Sequence, residues 1–200
     1  MKIIYFILLI FIANYISFHN GNNFYKYRDQ NNKKNKIFDL SYYFFPNLKI
    51  EKLYLDIFNW ISIGFLIIPF FINFFNSSSY ISNFTLCIEI MRLYIPIAII
   101  RAITTNLTIL PSHNKCDIDN ININELIQGH CYDKLFSGHL ALTLVCMYVF
   151  YNHNIINKSY AYFNIVLLIL YMIISKEHYT NDMIFSFFVV YFVIKENISL

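Results

Sequence analysis

The stretch Leu53–Phe75, reading LYLDIFNWISIGFLIIPFFINFF, decides the fold. Asp56 is its one charged residue, and Trp60 and Pro69 lie inside it. A helix needs about 20 predominantly apolar residues to cross a hydrocarbon core of about 30 Å, and this run is long enough. Apolar blocks of the same kind recur on both sides. One precedes it, Ile3–Phe18, and four follow: Phe84–Leu110, Phe136–Tyr151, Tyr160–Ser175 and Met183–Ile194. Short polar stretches separate the blocks, whereas a soluble helical core would bring polar residues back every three or four positions. The pattern predicts an all-α, polytopic membrane protein of about six transmembrane helices.

Composition points the same way. Of 200 residues, 58% are hydrophobic, 20% aromatic and only 14% charged, where a soluble domain carries about a quarter as charged types. The net charge of +3 is too small to indicate a nucleic-acid partner. Basic residues cluster between Lys26 and Lys52, yet asparagine, isoleucine, tyrosine, phenylalanine and lysine dominate everywhere, so Asn-rich loops are not designed features. Cys87, Cys116, Cys131 and Cys146 show no Cys-x-x-Cys spacing, so no zinc site is indicated.

Residues 1–52 read as an N-terminal membrane anchor, or a signal-like segment, followed by a polar, basic loop. Lys2 and the apolar run after it suit a signal peptide, but large residues at Asn14, Tyr15 and Ile16 give no small-x-small cleavage site. An anchor is the expectation. The aromatic run Tyr42–Pro46 suits the membrane interface ahead of the next span. Residues 53–200 read as one transmembrane core, with no internal repeat and a polar loop from Pro111 to about Leu135. Whatever chemistry the chain performs takes place in or beside a bilayer.

Three groups of residues carry that chemistry. His178 and Asp182 stand four apart, on one face of a helix and within hydrogen-bonding reach. A carboxylate bonded to one imidazole nitrogen fixes the tautomer and makes the other nitrogen more basic, which turns a histidine into a nucleophile or general base. Taken alone, the pair also fits an interfacial His and Asp that merely face water. Ser137-Gly138-His139 would let the backbone come close to an anion while the serine and histidine side chains point at it. Arg101 sits near the end of a long apolar block, where a cation is costly without a partner. Arg92 competes with it, but Glu89 lies three residues earlier on the same face and is its expected local partner. Arg101 has no such neighbour in sequence, so an external anion is the natural one. Together these residues compose a phosphate site at one membrane face.

The same motifs resemble those of the sphingomyelin synthases, within the superfamily of type 2 phosphatidic acid phosphatases. Arg101-Ala102-Ile103-Thr104 through Thr108-Ile109-Leu110-Pro111 is similar to that family's Arg, Ile-Thr, Thr and Leu-Pro pattern. Cys131-Tyr132-Asp133-Lys134-Leu135-Phe136-Ser137-Gly138-His139 resembles its Cys-Gly-Asp-Tyr-Leu-Tyr-Ser-Gly-His. His178-Tyr179-Thr180-Asn181-Asp182 resembles its His-Tyr-Thr-x-Asp, and Cys116 falls where the family has a loop cysteine.

The resemblance implies a transferase with His139, His178 and Asp182 as catalytic residues. Arg101, Ser137 and Gly138 would hold the phosphate, and neither metal nor other cofactor would be needed. Its partners would be membrane lipids: a phospholipid donor and a ceramide or diacylglycerol-type acceptor. Tyr132 stands where the family has glycine, the loop from Ser112 to Asp133 is short, and the family's N-terminal soluble domain has no counterpart here. The superfamily's lipid phosphatases carry Lys-x6-Arg-Pro and Ser-Arg motifs; neither is found, which favours transfer over hydrolysis. The resemblance also puts the active face toward the lumen or exterior of the Golgi, endoplasmic reticulum or plasma membrane. The basic stretch Lys26–Lys52 opposes that orientation by the positive-inside rule, and general lysine richness dilutes the objection. In that orientation Cys116 and Cys131 share an oxidising compartment and can pair, while the sequons at Asn76, Asn83 and Asn157 stay unmodified.

Overall fold

The computed structural model describes residues 12, 15, 52–75, 81–107, 135–175 and 178–198. They form five helices: α1 Lys52–Phe75, α2 Asn83–Leu107, α3 Gly138–Asn152, α4 Lys158–Ser175 and α5 Thr180–Ile198. Each lies on one of the apolar blocks from Leu53 onward. The first block lies outside the described residues except for Ile12 and Tyr15, which are helical. Two segments, Leu53–Phe75 and Lys158–Ser175, are long and apolar enough to cross a membrane. Among the described residues, length and composition thus mark two crossings, and six are not shown. Helix α2 carries Glu89, Arg92 and Arg101, and α3, with 15 residues, extends only about 22 Å.

Helix α3 is the hub, packed against α1, α2, α4 and α5, while α2 also meets α5 and α1 meets α4. Leu86, Ile97, Phe136, Val145, Val149 and Phe150 form its main core, all fully buried. The outer faces are apolar as well: Trp60 is 68% exposed, Phe75 78% and Phe84 75%, with Phe163, Phe188 and Phe192 also open. Large rings spread over several helices in this way are suited to lipid tails and make a poor water-facing surface.

Local chemistry fixes where the helices begin and end. Ser82 Oγ accepts from Thr85 N at 3.2 Å, and Asn157 Oδ1 accepts from Tyr160 N at 2.8 Å, so both residues cap the helices that follow. Helix α3 ends in a Schellman turn. Asn154 takes the left-handed conformation with φ 57°, its N–H donates to Tyr151 O, and Ile155 N–H donates to Phe150 O. The α1–α2 connection is tied from both sides: Asn73 Nδ2 donates to Ile81 O and Asn83 Oδ1, and Asn83 Nδ2 donates to Phe70 O.

Pro69 cannot donate to the carbonyl four residues before it, so Phe65 O loses its helical partner. Tyr160 on α4 supplies the missing donor, its hydroxyl reaching Phe65 O at 2.6 Å, with the two rings 5.7 Å apart. Tyr160→Phe is expected to destabilise the bundle by about 1–2 kcal/mol, because an unsatisfied carbonyl remains among apolar helices. Adding Pro69→Ala should recover most of that loss by restoring the intrahelical bond. Denaturant unfolding of the four proteins in a double-mutant cycle measures both effects.

At the end of the bundle where α2 starts and α3 stops, Glu89 Oε2 meets His153 Nε2 at 2.6 Å. Glu89 therefore bonds across to α3 and not to Arg92, its expected neighbour on the same helix. The reason is geometric: α2 and α3 run antiparallel, so the last turn of one faces the first turns of the other.

Candidate active site

The opposite end of the same helix pair brings the sequence-predicted site residues together. Gly138 is the first residue of α3, and the Arg101 guanidinium lies directly over it. A Cβ at Gly138 would stand 3.0 Å from Arg101 Cζ and Nη1 and 3.1 Å from Nε. Glycine lets the guanidinium sit this close; with a Cβ here it would have to give by a few tenths of an ångström. Arg101 is half-buried and sits in the last two turns of α2, and Thr104 Oγ1 donates to its backbone carbonyl at 2.9 Å.

His178 precedes α5, and Asp182 lies in that helix's first turn. His178 Nδ1 stands 3.3 Å from Asp182 Oδ2, with the imidazole side chain 12% exposed and the carboxylate fully buried. The same Oδ2 accepts the Tyr179 backbone N–H at 2.9 Å. Asp182 is thus the third helical residue reaching back to the cap, the geometry of a capping box. That is the bland task for this carboxylate, and it coexists with the contact to His178. A carboxylate facing Nδ1 orients the imidazole ring and sets its tautomer.

The two halves are joined through Ser186, one turn beyond Asp182. Its hydroxyl accepts from Ser137 N at 2.9 Å and donates to Asp182 O at 2.7 Å. Ser186 is fully buried. The motif reading does not single it out, though its spacing of four from Asp182 puts it on the same face.

Ser137 also serves the fold. Its hydroxyl accepts from Leu140 N at 3.3 Å, capping α3, and lies 3.5 Å from Met172 Sδ in a fully buried setting. It orients the helix start and is enclosed away from the surface. His139, the next residue but one, is exposed at this end. Helices α3 and α5 both start at this end, so the positive ends of their dipoles lie on the same side of the bundle as the guanidinium. Among the described residues there is no group of three His, Cys, Asp or Glu that could hold a metal ion. Cys116, Cys131 and the stretch 108–134 lie outside the described residues; Cys87 and Cys146 are free thiols.

Residues 130–197 match the family model described as PAP2 superfamily C-terminal. The match spans 68 of the 200 residues, about a third of the chain, and makes this segment similar to that superfamily. It takes in α3, α4 and α5 with Ser137, Gly138, His139, His178 and Asp182; Arg101 and the two preceding helices lie before it. Searches of curated proteins and of solved structures return no match.

Proposed function

We propose that the protein is a multi-pass membrane enzyme that moves a phospho-headgroup from a glycerophospholipid to ceramide, with diacylglycerol as the other product. The observation that carries this reading is the buried Asp182 carboxylate facing His178 Nδ1. It orients the ring, stabilises the imidazolium and leaves Nε2 as a nucleophile. In the first step Nε2 bonds to phosphorus, the bond from phosphorus to the diacylglycerol oxygen breaks, and His139 gives that oxygen its proton. In the second, His139 takes the proton of the ceramide hydroxyl, whose oxygen bonds to phosphorus and releases His178. Arg101, seated over Gly138, and the α3 N-terminus stabilise the equatorial oxygens as charge builds. The chain's own cations suffice for this.

A second reading is hydrolysis of a lipid phosphate, and the exposure of His139 favours it, since water could reach that imidazole as the acceptor. A single assay separates the two. Membranes containing the protein are given fluorescent ceramide with mixed phospholipid donors and, in parallel, phosphatidic acid. A new phosphosphingolipid supports transfer and identifies the headgroup; diacylglycerol from phosphatidic acid with no ceramide product replaces transfer with hydrolysis. We further propose that the active end faces the lumen or exterior. Asn157 is exposed at the opposite end, so mapping of glycans on protein from a secretory cell is expected to find it unmodified. A glycan there reverses the orientation.

A further inference from the structure

At the end of the bundle away from the His178 site, a cavity of about 300 Å³ opens between α2, α3 and α5, lined by Thr85, Glu89, Arg92, Tyr148, Ile194 and Asn197. Arg92 lies nine residues before Arg101, roughly 14 Å along the helix at 1.5 Å per residue, so this is a separate place on the molecule. Its polar groups are unequally occupied. Glu89 is taken by His153 at 2.6 Å, and Asn197 Nδ2 is bonded back to Val193 O at 2.9 Å. Thr85 Oγ1 is 2.9 Å from Ser82 Oγ. The exposed Arg92 guanidinium and the Tyr148 hydroxyl have no hydrogen-bond or ion-pair partner among the described residues. What remains to be satisfied is therefore a cation and a neutral donor, with the one carboxylate of the cavity already engaged by the His153 imidazole.

Two unengaged donors beside apolar walls call for a ligand that is anionic at one end and apolar at the other. We propose that this cavity is a binding site for an anionic phospholipid, its phosphate against Arg92 and Tyr148 and its first acyl carbons against Ile88, Leu93 and Ile194. Guanidinium and phenol together give the directional donors that a phosphodiester accepts, and the Arg92 charge, unpaired among the described residues, favours a headgroup whose phosphate charge is not cancelled by its own amine. An arginine that merely snorkels to the bilayer surface would meet any phospholipid equally well.

The test uses the full chain in phosphatidylcholine nanodiscs containing a trace of phosphatidylglycerol with a photoactivatable headgroup, followed by peptide mapping. Adducts are expected on Thr85–Leu93 and Ile194–Asn197, displaced by unlabelled phosphatidylglycerol and not by added phosphatidylcholine. Arg92→Gln is expected to reduce them at least fivefold and Arg92→Lys by clearly less, since lysine keeps the charge and loses only the guanidinium's fork of donors. Adducts that persist in Arg92→Gln, or that phosphatidylcholine displaces equally, overturn the site as ordinary lipid contact. Equal loss in both variants removes the charge as cause and overturns it too. Displacement by millimolar inorganic phosphate makes the ligand a soluble anion and overturns the lipid assignment. His178→Ala, at the other end, is expected to leave the adducts unchanged, so failure of the proposed transferase reaction reads separately from failure of this site.

Discussion

Replacing His178 with alanine is expected to lower headgroup turnover at least 10³-fold, since the proposed nucleophile is removed and no neighbouring group can form the covalent intermediate. The bundle should survive. The side chain is 12% exposed, precedes the helix it serves, and makes its contact to Asp182 at a long 3.3 Å. Asp182→Asn sharpens the result. An asparagine oxygen can still accept the Tyr179 N–H, so the start of α5 stays capped, while the charge that would stabilise an imidazolium is gone. Loss of the charge is expected to cost about 10²–10⁴-fold in turnover with little change in unfolding free energy. Asp182→Ala removes the cap as well and should be less stable by about 1 kcal/mol. Measuring turnover and unfolding on the three variants separates the chemical from the architectural share of that carboxylate. Normal transfer by His178→Ala would sink the phosphohistidine mechanism outright.

Gly138→Ala is the second large effect, and it acts without removing any ionisable group. A methyl group there would lie 3.0 Å from the Arg101 guanidinium carbon, where ordinary contacts begin at about 3.4 Å. The atoms in the way are the far end of a flexible side chain, so the arginine yields by a few tenths of an ångström and the backbone stays in place. Alanine is moreover a better helix former than glycine at the start of α3. Stability should therefore change by less than about 1 kcal/mol, while turnover falls about 10–100-fold because the cation no longer sits where phosphate charge develops. Turnover equal to that of the unmodified protein would separate Arg101 from the phosphate. A parallel loss of stability would mean that glycine serves packing alone.

Much of this arrangement is legible in the chain itself. Apolar blocks put all five described helices in place, because in a lipid-like environment segment length and hydrophobicity dominate over caps and periodicity. His178 and Asp182 do meet, but not from one helix face: His178 lies ahead of α5 and approaches the carboxylate from the turn before the helix. Contacts between distant segments are another matter. Nothing in the sequence near Glu89 points to His153, since the pairing depends on the antiparallel register of α2 and α3. Tyr160 completing the carbonyl freed by Pro69 depends in the same way on how α1 meets α4. Ser137 looks like a ligand when read beside Gly138 and His139; the fold adds a second task that the motif does not announce, accepting a first-turn N–H as serine does at helix starts. Ser186 goes unnoticed because a hydroxyl within an apolar run resembles filler until its two partners are seen.

One carboxylate oxygen of Asp182 holds both the Tyr179 N–H and the His178 ring. This has a consequence for how descendants of such a chain would age. If a lineage ceased to need the reaction, His178 and His139 would be free to drift, whereas Asp182 would still be held by the helix it starts. An aspartate at this place is therefore a poor witness to living chemistry. The imidazoles are the residues that testify, and a chain that keeps Asp182 while losing both histidines is a retired enzyme still wearing its frame.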